Sequence, residues 1–401
     1  MKKKISLSII LSIIMLILSI SLASNFKKEI EPTTSETPMI TEEKSEEMRG
    51  LWVSYLTLNM NENERDFDSF KTKFDLIMSN AIKLKCNTLI IQVRPFCDAL
   101  YKSDIFPSSH ILSGEQGKDP SYDALEYMCQ SAHKNNMKIH AWINPLRVKS
   151  TSSPPQIAEN NPCYKEDDLT INTDSGIYLN PARKTVRKLI CDGVREIIEN
   201  YNIDGIQFDD YFYPEDIGNS DNNDYSTYKK SLSSSIPPMS REEWRINNIN
   251  MLIAEVYKTI KDSKKEIVFG ISPQGNINNN YSISADVKEW CATYGYIDYI
   301  CPQMYYSLDN PSLEFEDCLK QWQKINYHSN VKKYIGLGVY KAGTDADEGT
   351  WLEKNDILAK ELKLLREYGY DGYMLYDYKA LNSEDAYDEI KNLYHVIDDN
   401  T

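Results

Sequence analysis

Eight short apolar or β-branched runs alternate with stretches of helical spacing, and no other feature of the chain constrains its fold as much. The runs fall at residues 51–55, 88–95, 138–145, 205–211, 267–273, 299–305, 334–340 and 372–378. Each has the length and composition of a strand. Amphipathic segments lie between them at 68–85, 122–136, 183–201, 241–261, 313–327 and 354–368, and a last one closes the chain at 384–397. Ser240 and Glu243 have the spacing of a capping box, and Pro181 and Pro311 sit where first-turn prolines belong. Strands that alternate with helices make a parallel sheet. Eight such units predict an α/β fold closed into a (β/α)8 TIM barrel, one domain over 48–398. An open doubly wound sheet would want a glycine-rich phosphate turn after the first strand. The segment from Leu51 to Thr57 offers none.

The N-terminus stands outside this pattern. Lys2, Lys3 and Lys4 precede an apolar run from Ile5 to Leu22, and Ser21 and Ala23 are the small residues a signal peptidase reads. Residues 1–23 therefore read as a secretory signal, or as an uncleaved membrane anchor through 5–22. Either way the domain faces outward, secreted or tethered at the cell envelope. Residues 24–47 are acidic and polar and read as a flexible linker.

Composition narrows the function. Asp and Glu number 60 against 45 Lys and Arg, for a formal net charge of -15. That sign repels phosphate backbones, so nucleic acid is not an expected partner. The eight cysteines show no C-x-x-C spacing and no histidine at zinc-finger distance, so neither a metal nor a cofactor is expected. Several lie in apolar stretches and read as small buried hydrophobes. The chain has 28 Tyr and six Trp, rings that suit flat, hydrated ligands such as sugars.

Polar residues collect at the ends of the strands. Alternation puts Gln92 and Arg94 on one face of the second strand, and His140, Trp142 and Asn144 on one face of the third. It pairs Gln207 with Asp209 on the fourth, and Gln303 with Tyr305 on the sixth. Asp210 should point to the opposite side from Asp209, and the eighth strand ends at Asp377. Branched apolar side chains normally fill a barrel, so polar tips from five strands imply that they meet one another or a ligand. Long loops at 147–179 and 213–238 leave the same carboxyl-terminal face, where barrel enzymes keep their sites.

Several blocks are similar to the glycosyl hydrolase-like 10 family. They are Met48-Arg49-Gly50-Leu51-Trp52-Val53, the stretch from Gln92 through Arg94 and Asp98 to Tyr101, His140 to Pro145, Asn180 to Arg183, and Asp204 to Pro214. The resemblance spans about residues 47 to 380. It implies an extracytoplasmic glycoside hydrolase on a barrel akin to the amylase type, with some relatives tied to the glycan strands of peptidoglycan. It places Asp209 where amylase-like barrels carry their nucleophile.

Glycoside cleavage usually needs two carboxyl groups, one to protonate the leaving oxygen and one to act as nucleophile or to activate water. Asp209, Asp210 and Asp377 are the catalytic candidates. Gln92, Arg94, Asp98, His140, Trp142, Asn144, Gln207, Tyr211, Gln303 and Tyr305 are the substrate-binding candidates. Arg94 is placed to hold Asp209 ionised or to take a substrate carboxylate. Amylase-like enzymes take a general acid from the end of the fifth strand, but here that strand ends Ser272-Pro273-Gln274, with no carboxylate. The acid is then sought among Asp98, Glu215, Asp309 and Asp377. Two rival readings remain. One is a non-catalytic glycan-binding protein that lacks the acid. The other is a metal-dependent deacetylase using Asp209, Asp210 and His140, which the unpaired spacing of the five histidines disfavours.

Overall fold

The computed structural model describes residues 46–398 except 167, 168 and 353. The expected export segment and most of the expected linker lie outside the described residues.

Eight parallel staves close on themselves: β1 Met48–Val53, β2 Thr88–Arg94, β3 Lys138–Ile143, β4 Gly205–Phe208, β5 Val268–Ile271, β6 in two pieces at Tyr299–Ile300 and Gln303–Met304, β7 Lys332–Gly338 and β8 Gly372–Tyr376. Each pairs with its neighbour in sequence, and β8 pairs with β1 to shut the ring. A helix follows each stave: α1 Phe67–Lys83, α2 Ala124–Lys134, α3 Lys184–Asn200, α4 Arg241–Ser263, α5 Val287–Ala292, α6 Phe315–Gln323, α7 Ile357–Glu367 and α8 Tyr387–Asp398. This is the expected (β/α)8 barrel. Among the described residues no helix is long and apolar enough to cross a membrane.

Local chemistry starts these helices where the chain must turn. Asp66 caps α1 by accepting from the Ser69 N–H at 2.9 Å. Ser240 and Glu243 form the reciprocal capping box of α4, at 3.2 and 2.8 Å. The two prolines differ from expectation. α3 starts at Lys184, three residues after Pro181, and α6 at Phe315, four after Pro311. Both prolines lie in the turns that lead into the helices.

Two apolar layers result. The outer one joins the outward faces of the staves to the helices, as where Val186, Ile190, Val194 and Ile197 of α3 recur at helical spacing and are all buried. The inner one fills the barrel with Met48, Trp52, Ile90, Trp142, Tyr299, Cys301 and Met374. Gly205 and Gly270 are bare on this inner face. A Cβ at Gly205 would lie 2.6 Å from the His140 ring, and one at Gly270 would strike the Tyr299 ring. The missing side chains make room for the two rings. All eight cysteines are buried and unpaired.

The expected excursion after β3 folds into a small antiparallel sheet of Arg147–Ser150, Gly176–Leu179 and Thr170–Thr173, in that spatial order. The long loop after β4 carries a helix at Asn222–Ser231. Both stand on the carboxyl-terminal face.

Candidate active site

The site is built at the ends of β3 and β4. Inner-face alternation carries His140, Trp142 and Asn144 up one stave, and Gly205, Gln207 and Asp209 up the next. Asp209 is 3% exposed. The Trp142 indole Nε1 donates to its Oδ2 at 2.8 Å, the Asn144 amide donates to the same oxygen, and the Tyr211 N–H donates to Oδ1 at 3.2 Å. Three donors favour the ionised carboxylate, whereas burial and the neighbouring Asp210 favour the neutral acid. Burial is the larger effect and pushes Asp209 up to about 7, although Arg147, Trp142 and the Tyr211 N–H all pull it down.

Asp210 does not point away from the mouth. Regular strand geometry ends at Phe208, so alternation no longer governs it. Its Oδ1 accepts from the Gln303 Nε2 at 3.2 Å, and the same amide nitrogen donates to the Ser272 carbonyl at 2.9 Å. Burial raises Asp210 too, while the side chains of Gln303 and Gln274 lower it. Two adjacent carboxyls with raised affinity for protons titrate as one unit. Asp210 is partly buried and lines a pocket of about 480 Å³ with Ser175, Tyr178, Tyr211, Glu215 and Gln274.

Arg94 is a correction. Pairing of β2 with β3 shifts register between Gln92 and Arg94, a bulge that sends the two residues to different sides of the wall. Gln92 stays inside. Its carbonyl accepts from the Tyr55 N–H at 3.0 Å and its amide donates to Asn144 Oδ1. Arg94 turns outward, 1% exposed, with its guanidinium 4.5 Å from the centre of the Phe106 ring and against Gly193 of α3. It reaches neither Asp209 nor the mouth.

The cation beside the carboxyls is Arg147, which alternation along β3 could not find because it follows the strand by four residues. Its Nη2 donates to Asn144 Oδ1 at 3.2 Å and its Nε to the Pro95 carbonyl at 3.0 Å. Its guanidinium lies 4.5 Å from the Tyr211 ring and 4.6 Å from the Phe96 ring.

Asp98 is fully buried within the loop after β2, where it accepts from the Phe96 N–H and from Gln116. It holds that loop and meets none of the residues around Asp209. His140 and Gln207 lie one layer below the mouth. His140 Nδ1 is 3.1 Å from the Tyr299 hydroxyl, which donates to Gln207 at 3.1 Å. Burial lowers His140 to about 4, so it is neutral at ordinary pH.

Aromatic residues rim the mouth. The Tyr305 and Tyr376 rings stack at 5.4 Å, and Tyr340 stands edge-on to both at 5.6 and 5.9 Å. Trp142 meets Tyr376 at 6.5 Å. Asp377 accepts from the Ser54 hydroxyl at 2.9 Å, and burial raises it. Its charge and that of Asp209 both act on the Tyr376 phenol. Asp309 is exposed and paired with Lys354. Among the described residues no group of three or more His, Cys, Asp or Glu is placed to hold a metal ion.

A family model described as Glycosyl hydrolase-like 10 matches residues 47–353. The chain belongs to the glycosyl hydrolase-like 10 family. That match holds β1 to β7 and both aspartates that follow β4, and it ends before Tyr376 and Asp377. Among its family relatives, the chain is 32% identical over 370 residues to Glycosyl hydrolase DigH of Escherichia coli strain K12, covering 83% of each chain. It is 30% identical over 372 residues to Glycosyl hydrolase YngK of Bacillus subtilis strain 168, covering 86% of this chain and 70% of that one. Its fold is similar to the PgaB (BpsB) glycoside hydrolase domain of Bordetella bronchiseptica, with a TM-score of 0.59, 12% identity and coverage of 87% and 98% of the two chains. It is also similar to the β-amylase catalytic domain of Paenibacillus polymyxa, with a TM-score of 0.56, 10% identity and coverage of 89% and 99%. These solved structures share the barrel.

Proposed function

We propose that this glycosyl hydrolase-like 10 protein is an exported glycoside hydrolase that cleaves a polysaccharide, with cell-wall glycan strands as its substrate class. One observation carries the reading. Two adjacent carboxyls with raised affinity for protons end β4 in a mouth ringed by tyrosines.

Hydrolysis needs a proton for the leaving glycosidic oxygen at a pH where free carboxylic acids have lost theirs. Burial and mutual repulsion let the pair keep one. Asp210 opens to the pocket and presents that proton; Asp209, fixed by Trp142, Asn144 and the Tyr211 N–H, sets its state. As charge develops at the anomeric carbon, the ionised pair stabilises it. Glu215 lines the same pocket as Asp210 and is the second carboxyl in a position to activate water. Tyr211, Tyr305, Tyr340 and Tyr376 offer ring faces and edges to sugars. The apolar run at 5–22 and the family resemblance support export.

The test is release of reducing ends from denuded peptidoglycan strands, chitin, starch and xylan, with wild type beside Asp209→Asn and Asp210→Asn. Turnover on one polymer that both variants lose supports the reading. Binding without turnover in the wild type overturns it in favour of a glycan-binding protein. The absence of a carboxylate at the end of β5, where Gln274 stands, favours that second reading.

A further inference from the structure

Asn144 is held from both sides. Its Oδ1 accepts from the Gln92 amide and from Arg147 Nη2 at 3.2 Å, while its Nδ2 donates to Asp209. An amide that receives two donors at oxygen has no freedom to flip, because the flipped amide would set N–H against N–H on one side and oxygen against carboxylate on the other. The direction of the Asn144–Asp209 bond is therefore decided by Gln92 and Arg147.

Arg147 is itself tightly placed. It begins the antiparallel strand Arg147–Ser150, and its backbone is in register with Tyr178. Its Nε is tied to the Pro95 carbonyl at 3.0 Å. Phe96 and Tyr211 lie against the guanidinium, and Tyr55 lies 5.9 Å away. Rings and backbone together hold a desolvated cation that could not leave without exposing them.

The other groups facing Asp209 are few. Asp210 and Tyr211 come from its own segment, Trp142 and Asn144 from β3, and Tyr376 from β8. Gln303 and Tyr305 of the β6 end face Asp210. Arg147 adds a positive charge that acts on both carboxyls.

We propose that Arg147 is a positioning residue of the site: it turns the Asn144 amide toward Asp209 and sets a fixed positive charge beside the two carboxyls. It acts through Asn144 and through its field, without touching the sugar. The role in turnover rests on the hydrolase reading, but the electrostatic arrangement does not.

The experiment follows the Asp209 carboxyl carbon by NMR in the full chain, labelled with ¹³C-aspartate and assigned by the signal lost in Asp209→Asn. Arg147→Met should raise the titration midpoint by about one pH unit, the scale of an opposite charge a few ångströms away. Arg147→Lys, which keeps the charge, should stay nearer the wild type. A midpoint in Arg147→Met that matches the wild type, with native circular dichroism, overturns the proposal. So does an equal rise in the Met and Lys variants. If Arg147→Met does not fold, Arg147→Gln keeps a donor for Asn144 without charge and serves the same comparison. The titration needs no substrate. An inactive wild type whose Asp209 still responds to Arg147 would remove the hydrolase reading and leave this one standing.

Discussion

Trp142 and Asp209 lie near the ends of adjacent parallel strands, and the indole Nε1 of the first donates to Oδ2 of the second at 2.8 Å. Loss of a hydrogen bond to a charged group costs about 1.5–3 kcal/mol, or roughly ten- to hundredfold in an equilibrium or rate. Trp142→Phe keeps a ring against Tyr376 and removes the donor. It should lower kcat by about tenfold, and it should move the half-point of the pH–kcat profile set by Asp209 upward. Steady-state kinetics across pH 4 to 8 would check both.

Replacing either carboxyl removes the proton-holding pair. Asp209→Asn and Asp210→Asn should each reduce kcat by about 10²–10⁴-fold, the range of general acid–base catalysis. Both substitutions are isosteric, so far-UV circular dichroism should match the wild type. Turnover in both variants above a tenth of wild type would exclude the pair as the catalytic centre.

The same pair makes folding stability depend on pH. Asp209 has a folded value near 7 against an ordinary 3.8, so the folded state holds its proton more tightly than the unfolded chain. Its contribution is fully present below about pH 4 and is lost as pH rises toward 7, at up to about 1.4 kcal/mol per pH unit. Asp209→Asn should flatten this decline. Urea unfolding followed between pH 4 and 8 measures it, and equal slopes for wild type and variant would contradict it.

His140 has the opposite sign. Burial lowers it from 6.5 to about 4, so the unfolded chain takes up a proton first. Stability should be lost as pH falls from about 6.5 through 4. Because His140 lies below the mouth, His140→Gln should remove that acid-side loss and leave the pH of half-maximal kcat unchanged.

The aromatic rim should govern affinity more than chemistry. Tyr340 is 45% exposed and stands edge-on to Tyr305 and Tyr376. Tyr340→Ala should raise KM about tenfold with kcat within about twofold, a loss of about 1.4 kcal/mol of ring contact. Initial rates on soluble oligosaccharides would separate the two constants.

Most of the barrel was legible because its strands are buried on both faces and so form continuous apolar runs. The expected strand at 88–95 is Thr88–Arg94, and that at 372–378 is Gly372–Tyr376. α5 has six residues, fewer than two turns, and gave no period to detect. Alternation placed Gln92, Trp142, Asn144 and Asp209 on one surface because all four belong to regular strand or its first residue beyond. It misplaced Arg94 because a bulge depends on the partner strand and leaves no mark on its own segment. It misplaced Asp210 because the strand had already ended. It passed over Arg147 because that residue lies beyond the third barrel strand and begins a separate short strand, and only the fold of the antiparallel sheet brings it back.

The bulge in β2 also reaches the outer layer. It lodges Arg94 against α3 at Gly193, where any side chain would collide with the guanidinium and with the Phe106 ring. A helix-interior glycine is worth about 1 kcal/mol less than alanine, so elsewhere on α3 the exchange would be favourable. Here it is barred for as long as the arginine and the Phe106 ring stay. A side chain at Gly193 should thus be accepted only when both Arg94 and Phe106 give way, a linkage between wall and helix that runs beneath the carboxylates without touching them.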